Sequence, residues 1–451
     1  MYHQSSKRPK SAHNRFVTVL GAGISGLAAA KRLQEQSYYV NIFEKNDYCG
    51  GRTYTHHTDG FLFDEGPHVS FTKRPEIEAY MAHAIHDQFG QYSSEVFNYW
   101  RNKWILHPVQ CNLYGLPADI VTKCLIDFFQ AQLEKEQHIN SYADWCRMSL
   151  GRSFSEEFTY RYTRKFWTTD ASNMSTDWVG QRIYKPKLEE IVRGALAPQG
   201  NNYHYILGFR YPKSGGFHSY SKGIAEGCNI NYGHEVSAID IQNKKIDFTN
   251  GKIENYDVMI SSLPVVEIIR LIKDVPKNVR EAADKLTCTS MILVNVGLSL
   301  SDGLPPGHWN YVYDEDVIFS RINFPYRLSH NNAPPGCASI QAEVYYSKYR
   351  PLPCEDVLNS TMEDMRRIGL LHGDDQILSV SQQRIKYGNI LFDLKRKKNL
   401  EIVQNYLSET DVICCGRYGE WAYYWSDDSI LSGWRAADKV LSKDEKSLIG
   451  D

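Results

Sequence analysis

A glycine-rich turn between two strand-like segments constrains the fold of this chain more than any other feature. The apolar run RFVTVL, residues 15–20, leads directly into the GxGxxG sequence of residues 21–26. A segment of helical composition follows, and the next strand-like run, Tyr39–Phe43, ends at Glu44. A glycine turn between a strand and a helix, with an acidic residue about 20 positions later, is typical of a dinucleotide-binding βαβ unit. The sequence therefore predicts an α/β fold that opens with a Rossmann-like nucleotide site.

The residues of this turn have separate physical roles. Gly21 permits the tight turn, Gly23 lets a pyrophosphate approach the main chain, and Gly26 lets the helix pack closely on the strand. Free N–H groups at the start of the helix would bind the anion. Glu44 is predicted to accept hydrogen bonds from ribose hydroxyls and to repel a 2′-phosphate. The predicted nucleotide ligands of this unit are Gly21, Ala22, Gly23, Ile24, Ser25, Gly26, Glu44 and Lys45.

The composition argues against several other classes of protein. The 51 Lys and Arg residues do not exceed the 53 Asp and Glu residues, so the positive excess of a nucleic-acid binder is missing. The sequence contains no uninterrupted apolar stretch of the about 18 residues that are needed to span a bilayer. The polar residues 1–14 do not resemble a signal peptide. The ten cysteines include no CxxC pair, which disfavours a metal site. We expect a cytoplasmic protein of more than one domain that binds a small-molecule substrate, without nucleic acid, membrane span or metal.

A second pair of glycines indicates which dinucleotide is the cofactor. Gly50, Gly51 and Arg52 stand where a plain NAD-binding unit would enter its crossover helix, and a guanidinium suits a pyrophosphate. Together, GAGISGL and EKNDYCGGRT resemble the signature of the FAD-binding flavoproteins of the amine oxidase, protoporphyrinogen oxidase, phytoene desaturase and UDP-galactopyranose mutase group. The resemblance implies FAD as the cofactor, with these three residues as ligands. No second strand–GxGxxG–helix unit follows, so no separate NAD(P)H domain is expected.

Later segments extend the resemblance over residues 15–441. YPKSGGF, residues 211–217, resembles the start of the helix before the second strand of the FAD domain, and Val236 would meet the adenine through its main chain. GRYGEW and DSILSG, residues 416–421 and 428–433, resemble the last FAD segment, where main-chain amides at a helix start reach the pyrophosphate and the flavin. The further FAD contacts that this implies are Gly66, Pro67, His68, Val236, Gly416, Arg417, Asp428, Ser429 and Ile430.

The order of the segments predicts one interrupted domain rather than domains in series. We expect an α/β, Rossmann-like FAD-binding domain with an inserted helical cap and a mixed β-sheet substrate domain. Their predicted bounds are 15–75, 208–264 and 395–441 for the FAD domain, 76–207 for the cap, 265–394 for the substrate sheet, and 1–14 and 442–451 for flexible tails.

Within the group, the resemblance is strongest to the branch of UDP-galactopyranose mutase and its protoporphyrinogen-oxidase-like relatives. In the mutase a Gly-x-His segment lies against the flavin ring, which places His68 there, where its imidazole could tune N5 or transfer a proton near pH 7. Arginines and paired tyrosines of the mutase hold a nucleotide-sugar diphosphate. The nearest matches, and our predicted catalytic residues with His68, are Arg182, Arg327, Tyr423 and Tyr424. One departure is Trp425, which stands where the mutase has Asp.

Three functions remain open at this stage. We expect an FAD-dependent oxidoreductase that takes a hydride from a small organic substrate, such as a sugar or nucleotide-linked metabolite, onto flavin N5. The alternative is a non-redox, mutase-like isomerase in which N5 of reduced FAD attacks a sugar anomeric carbon. The third is a flavin-fold protein that serves only as a binding partner. An aromatic, arginine-containing cap is compatible with a glycosyl compound, an amine or a polycyclic metabolite as substrate. The sequence does not indicate the oligomeric state.

Overall fold

A computed structural model describes residues 16–134, 138–180, 182–200, 203, 205–300, 303–373 and 376–449, with side chains described as far as residue 442. The tail predicted at residues 1–14 lies outside this part of the chain. The strands are β1 (Phe16–Leu20), β2 (Tyr39–Phe43), β3 (Thr55–Thr58), β4 (Phe61–Asp64), β5 (Phe89–Ser93), β6 (Val96–Trp100), β7 (Lys103–Leu106), β8 (Gly208–Pro212), β9 (Ile230–Asn231), β10 (Val236–Asp240), β11 (Lys245–Phe248), β12 (Ile253–Asn255), β13 (Val258–Ser261), β14 (Ser290–Ser299), β15 (Trp309–Val312), β16 (Arg321–Asn323), β17 (Cys337–Tyr346), β18 (Ile377–Ile385) and β19 (Val412–Cys414).

Helices connect and cover these strands. They are α1 (Ile24–Glu35), α2 (Pro75–Ala84), α3 (Ala118–Leu133), α4 (Tyr142–Leu150), α5 (Arg152–Phe154), α6 (Tyr160–Phe166), α7 (Leu188–Leu196), α8 (His218–Ile224), α9 (Val265–Leu271), α10 (Lys277–Lys285), α11 (Pro325–Leu328), α12 (Val357–Arg367), α13 (Arg396–Ser408), α14 (Gly416–Gly419) and α15 (Ser426–Ile449). Among the described residues, no helix combines the length and apolar character needed to cross a membrane.

A five-stranded parallel sheet carries the glycine turn, in the order β19-β13-β1-β2-β9. Val19 of the central strand β1 pairs with Ile42 on one side and Ile260 on the other. These side chains are almost completely buried, because helices cover a parallel sheet on both faces. The strands come from all three chain segments that we assigned to the FAD domain, so residues far apart in sequence meet at one sheet edge.

A seven-stranded mixed sheet stands beside it, in the order β18-β14-β17-β16-β15-β6-β7. Strands β14 and β17 pair antiparallel along their whole length. The segment 76–207, which we predicted as a mainly helical cap, also contributes β6 and β7, and these two strands form the far edge of this sheet. Val96 pairs with Trp309 of β15. The two residues are so far apart in the chain that no local sequence pattern predicts their pairing.

The C-terminal region departs from its predicted form. Helix α15 continues to Ile449, so the flexible tail predicted at residues 442–451 is wrong for residues 442–449. The sequence SKDEKSLI contains good helix formers and no Gly or Pro, so nothing in it ends the helix before Gly450.

Lys165 of α6 joins the cap to the mixed sheet. Its side chain is 1% exposed, and Nζ donates hydrogen bonds to the carbonyl oxygens of Val312 and Asp314, at 3.0 and 2.6 Å. Burial lowers the pKa of Lys165 from 10.5 to about 7. The folded protein therefore binds this proton more weakly than the unfolded chain does.

The pH dependence of the free energy of unfolding should reveal the lowered pKa of Lys165. Between pH 7 and 10.5 the unfolded chain carries the proton and the folded protein does not, so the free energy of unfolding should rise with pH. We expect the wild type to gain about 4 kcal/mol relative to Lys165→Met across this range. Denaturant unfolding of both proteins at several pH values measures the difference, and a difference that stays constant would contradict the lowered pKa.

Candidate functional site

A cavity of about 710 Å³ lies where the parallel sheet, the mixed sheet and the cap meet. Its wall includes Gly23 from the glycine turn, His68 from the loop after β4, Phe166 from α6 and Tyr345 from β17. A volume of this size is typical of sites for cofactors and small substrates. The cavity is thus continuous from the nucleotide-binding turn to side chains of the other two regions.

Glycines let the main chain approach itself closely at one end. Gly51 has φ of +55°, and a Cβ placed there would lie 3.2 Å from the Cα of Gly23. Gly23 itself lines the cavity, and the nearest atom to a Cβ placed there is Ser262 Oγ at 4.0 Å. The main-chain face of Gly23 therefore remains open to a ligand, as the approach of a pyrophosphate requires. The residues present fit the diphosphate bridge of a dinucleotide.

Glu44 is 5% exposed and has two sets of partners at this end. Its Oε2 accepts a hydrogen bond from the main-chain N of Ala22 at 2.8 Å, and its Oε1 accepts two from Asn46. A carboxylate oxygen has two acceptor sites, so Oε2 can accept one further hydrogen bond from a ribose hydroxyl. Glu44 also lines the cavity together with Lys45 and Val236. The carboxylate thus shapes the glycine turn as well as facing the ligand.

The loop after β4 is held by an ion pair. Arg52 donates to Glu65 through Nη1, and through Nη2 to the main-chain oxygen of Glu65 at 2.9 Å. His56 Nε2 lies 3.2 Å from the other carboxylate oxygen. Burial would raise the pKa of Glu65, but the His56 hydrogen bond and the Arg52 charge outweigh it and hold that pKa below its usual range. These contacts fix the start of the segment that carries Gly66, Pro67 and His68.

His68 lines the cavity as a neutral imidazole. Its Nδ1 lies 2.9 Å from the carbonyl oxygen of Gly66, and a carbonyl oxygen only accepts, so Nδ1 carries the proton and Nε2 keeps its lone pair. Burial, reinforced by the Arg52 charge, lowers the pKa of His68 to about 4. The imidazole therefore stays neutral at pH 7, as a hydrogen-bond donor at Nδ1 and an acceptor at Nε2.

Seven aromatic side chains form the other part of the wall, which we call the aromatic chamber. Phe166 and Tyr345 lie with ring centroids 4.9 Å apart, and Trp425 stacks nearly parallel on Tyr205 at 5.4 Å. Such faces bind apolar rings and the apolar faces of sugars. The chamber consists of Phe71, Phe166, Tyr205, Tyr311, Tyr345, Tyr423 and Trp425.

Most residues predicted for the site lie at the cavity. Those that line it are Gly21, Gly23, Ile24, Ser25, Glu44, Lys45, Gly50, Gly51, Arg52, Gly66, Pro67, His68, Val236, Gly416, Arg417, Tyr423, Tyr424 and Ser429. Those that do not are Ala22, Gly26, Arg182, Arg327, Asp428 and Ile430.

The predicted residues outside the wall have structural partners instead. The Ala22 N–H is used by Glu44, and a Cβ on Gly26 would lie 2.2 Å from the carbonyl oxygen of Gly21, which explains its glycine as a packing requirement. Asp428 accepts a hydrogen bond from Arg74 at 3.0 Å. Ile430 is fully buried, because one residue after Ser429 the face of α15 has turned from the cavity into the core.

The two predicted arginines have other roles. Arg327 Nη1 donates to the carbonyl oxygens of Pro305 and Gly307 at 2.6 and 2.7 Å, so its side chain is directed to this loop rather than to the cavity, where we predicted it. Arg182 Nη2 donates to the carbonyl oxygen of Tyr423 at 2.7 Å. Its guanidinium carbon lies 4.6 and 4.4 Å from the ring centroids of Tyr423 and Trp425, so it supports these rings from behind.

A buried ion pair lies at the chamber that we did not predict from the sequence. Arg321 of β16 lines the cavity, and its Nε and Nη2 each donate to the Glu343 carboxylate at 2.8 Å. Tyr345 donates to the same carboxylate at 2.7 Å. A signal was present, since Glu343 is a single charged residue in the otherwise uncharged strand β17. A charge in a buried strand requires a partner.

Comparison with known proteins agrees with this geometry. Residues 24–441 match the family model described as flavin containing amine oxidoreductase. The chain belongs to this family. It is an FAD-dependent oxidoreductase, and the predicted cofactor and relationship are confirmed.

Individual relatives differ in what they do. A 1-hydroxycarotenoid 3,4-desaturase of Flavobacterium sp. (strain P99-3) is 24% identical over 372 residues, which cover 71% of this chain and 74% of the relative. A crystal structure of reduced UDP-galactopyranose mutase is 27% identical with a TM-score of 0.88, covering 95% of this chain and 96% of that one. A protein of Exiguobacterium sp. 255-15 assigned as a protoporphyrinogen oxidase shares the fold, with 16% identity, a TM-score of 0.73 and coverage of 94% and 98%.

Proposed function

We propose that this flavoenzyme takes a hydride from a carbon atom of a small organic substrate held in the aromatic chamber, and passes it to N5 of FAD. A sugar or a nucleotide-linked metabolite is the substrate class that we favour. One observation carries the proposal: a single cavity is lined by Glu44 and Gly23 for the nucleotide, by His68, and by the aromatic chamber. A cofactor and a substrate that share one cavity can meet without a carrier.

The chain's own residues would bind and orient the reactants. When bound, FAD supplies a two-electron acceptor. The rings of Phe166, Tyr345 and Trp425 would exclude water and stack on the substrate. His68, neutral and with Nε2 unprotonated, would accept a hydrogen bond from a substrate hydroxyl or amine and so position the donor carbon.

Replacing His68 tests this role. His68→Ala should slow flavin reduction by substrate at least tenfold, about 1.4 kcal/mol of barrier, because the acceptor Nε2 is lost. His68→Gln keeps an acceptor oxygen and should lose less. Since the pKa of His68 is about 4, the wild-type rate should show no inflection near pH 6.5. Stopped-flow absorbance with matched FAD content measures these rates, and an unaltered rate in His68→Ala would reject the role.

The reaction itself is tested by anaerobic spectroscopy. The purified holoenzyme is mixed with a panel of sugars, nucleotide sugars and amines without oxygen. Under our proposal, at least one compound bleaches the oxidised flavin band and is recovered as an oxidised product. If the compounds are converted only by enzyme whose flavin has been reduced beforehand, the proposal is contradicted.

A second candidate is a mutase-like isomerase that uses reduced FAD. It is favoured by the 27% identity and the TM-score of 0.88 to UDP-galactopyranose mutase over nearly the whole of both chains. Arg182, Tyr423 and Tyr424, which resemble mutase residues, lie together around the chamber. This candidate predicts conversion of UDP-galactopyranose only by pre-reduced enzyme, with no net uptake of electrons.

A further inference from the structure

A row of four polar side chains crosses one face of the mixed sheet. Gln341 of β17 lies directly opposite Asn295 of β14 and Asn323 of β16. Asn295 in turn lies opposite Ser381 of β18. The three amide side chains are at most 1% exposed. Burying an amide costs free energy unless its polar atoms are hydrogen-bonded, so the partners of this row decide what it does.

Hydrogen bonds run along the row in one direction. Asn323 Nδ2 donates to Gln341 Oε1 at 2.9 Å, and Gln341 Nε2 donates to Asn295 Oδ1 at 2.9 Å. Asn295 Nδ2 donates to Ser381 Oγ at 3.3 Å. The second hydrogen of Gln341 Nε2 leaves the row and is donated to the carbonyl oxygen of Asp64 at 2.8 Å. A carbonyl oxygen only accepts, so Nε2 must face Asp64 and the orientation of the Gln341 amide is fixed.

Asp64, at the end of β4, joins the mixed sheet to the segments that we assigned to the FAD domain. Its carboxylate accepts hydrogen bonds from Thr55 Oγ1, the Tyr211 hydroxyl and the main-chain N of Phe217, at 2.6, 2.6 and 3.1 Å. These partners belong to β3, to β8 and to the residue before α8. The carboxylate thus fixes Asp64 to the FAD domain, while its carbonyl oxygen is held by Gln341 of the mixed sheet.

The Asp64 carbonyl oxygen also begins the turn that leads to His68. It accepts a second hydrogen bond, from the main-chain N of Gly66 at 2.8 Å, and Gly66 has φ of +94°. The carbonyl oxygen of Gly66 lies 2.9 Å from His68 Nδ1 and keeps the proton on that nitrogen. A series of hydrogen bonds therefore extends from Gln341 through the turn to the imidazole.

We propose that Gln341 is a positioning residue, which acts through the Asp64 carbonyl and Gly66 to keep the His68 imidazole in place and in one tautomer. This inference rests on the proposed function, in which the unprotonated Nε2 of His68 orients the substrate. Without the Gln341 donor, the turn keeps its internal Gly66 hydrogen bond but can shift relative to the mixed sheet. Displacement of an orienting group by about 1 Å can cost about a hundredfold in rate.

The test compares Gln341→Met with Asn323→Leu in the oxidised holoenzyme. Both remove one amide of the row, and the two side chains are equally buried, but Asn323→Leu leaves the Gln341 donor on Asp64 in place. NMR of protein labelled with nitrogen-15 in its histidine rings reports the tautomer, and the His68 signals are assigned by their absence in His68→Ala. We expect Gln341→Met to convert the single Nδ1–H tautomer into a mixture, and Asn323→Leu to leave it unchanged. An unchanged tautomer in Gln341→Met would overturn the proposal.

A double-mutant cycle gives a second measurement. Gln341→Met should slow anaerobic flavin reduction by substrate about tenfold with FAD content unchanged. The same change should have less than about a twofold effect when His68→Ala is already present, because the positioned group is then gone. Full additivity of the two changes would indicate a merely structural role and overturn the proposal.

Gln341→Asn covers the case in which Gln341→Met does not fold. Its amide can still pair with a neighbour in the row but is one methylene group too short to reach Asp64 as well, so the same tautomer mixture is expected. A folded Gln341→Asn with the wild-type tautomer would overturn the proposal. Failure of the hydride-transfer function shows itself separately, as absence of anaerobic bleaching, because the NMR measurement does not depend on turnover.

Discussion

Arg321→Met alone is expected to lower the free energy of unfolding by about 3–5 kcal/mol. The substitution leaves the Glu343 carboxylate, which is 0% exposed, without its cationic partner. Breaking one side of a buried pair costs more than removing the pair, because the remaining charge stays desolvated. Urea unfolding of the holoenzyme and of the FAD-free protein measures the loss.

The matched control is the double change of Arg321→Met with Glu343→Gln. It removes both charges, and the amide oxygen introduced by Glu343→Gln can still accept the hydrogen bond that Tyr345 donates to the carboxylate. We expect it to recover at least half of the stability lost in Arg321→Met, because the desolvated charge is gone. If the double variant is as unstable as the single one, the two residues act by packing rather than as an ion pair.

Glu44→Arg is expected to raise the dissociation constant of FAD at least a hundredfold, about 2.7 kcal/mol. Besides the two hydrogen bonds from Asn46, the substitution removes two hydrogen bonds of this charged acceptor that bear on FAD, each of which contributes about 1.5–3 kcal/mol. One holds the Ala22 N–H and hence the glycine turn. The other is the ribose contact that we infer for Oε2.

Flavin absorbance relative to protein absorbance after desalting measures this effect. Glu44→Gln is the control, because its amide oxygen can replace one of the two carboxylate oxygens as a hydrogen-bond acceptor. It should retain more FAD than Glu44→Arg. Flavin content equal to the wild type in Glu44→Arg would reject the ribose contact. The thermal transition without FAD separates loss of the cofactor from loss of the fold.

The opening βαβ unit could be predicted because all its signals are local. The strand prediction at Tyr39–Phe43 agrees with β2 to the residue, and the glycine turn lies between β1 and α1 as expected. The turn needs glycine for steric reasons that hold in any sequence context. For the same reason the sequence could predict that Gly21, Gly23 and Glu44 lie close together, and all three line the cavity.

The chamber wall could not be predicted in the same way. Arg321 and Arg327 stand six positions apart in one short segment, and composition gives no reason to prefer either. The pairing of β16 with β17 places Arg321 opposite Glu343, whereas Arg327 lies in α11 and donates to a neighbouring loop. Parallel pairing of β6 with β15 likewise joins residues whose partners are set by tertiary contacts alone.

Helix α15 completes the glycine turn from the opposite end of the sequence. A Cβ on Gly433 would lie 2.2 Å from the carbonyl oxygen of Ser25, and Arg32 of α1 pairs with Asp438 at 2.7 Å. During translation the first turn therefore leaves the ribosome long before the helix that packs against it has been made. We therefore expect that a chain truncated before α15 cannot form a stable FAD site, because α1 would lack the helix that packs against it.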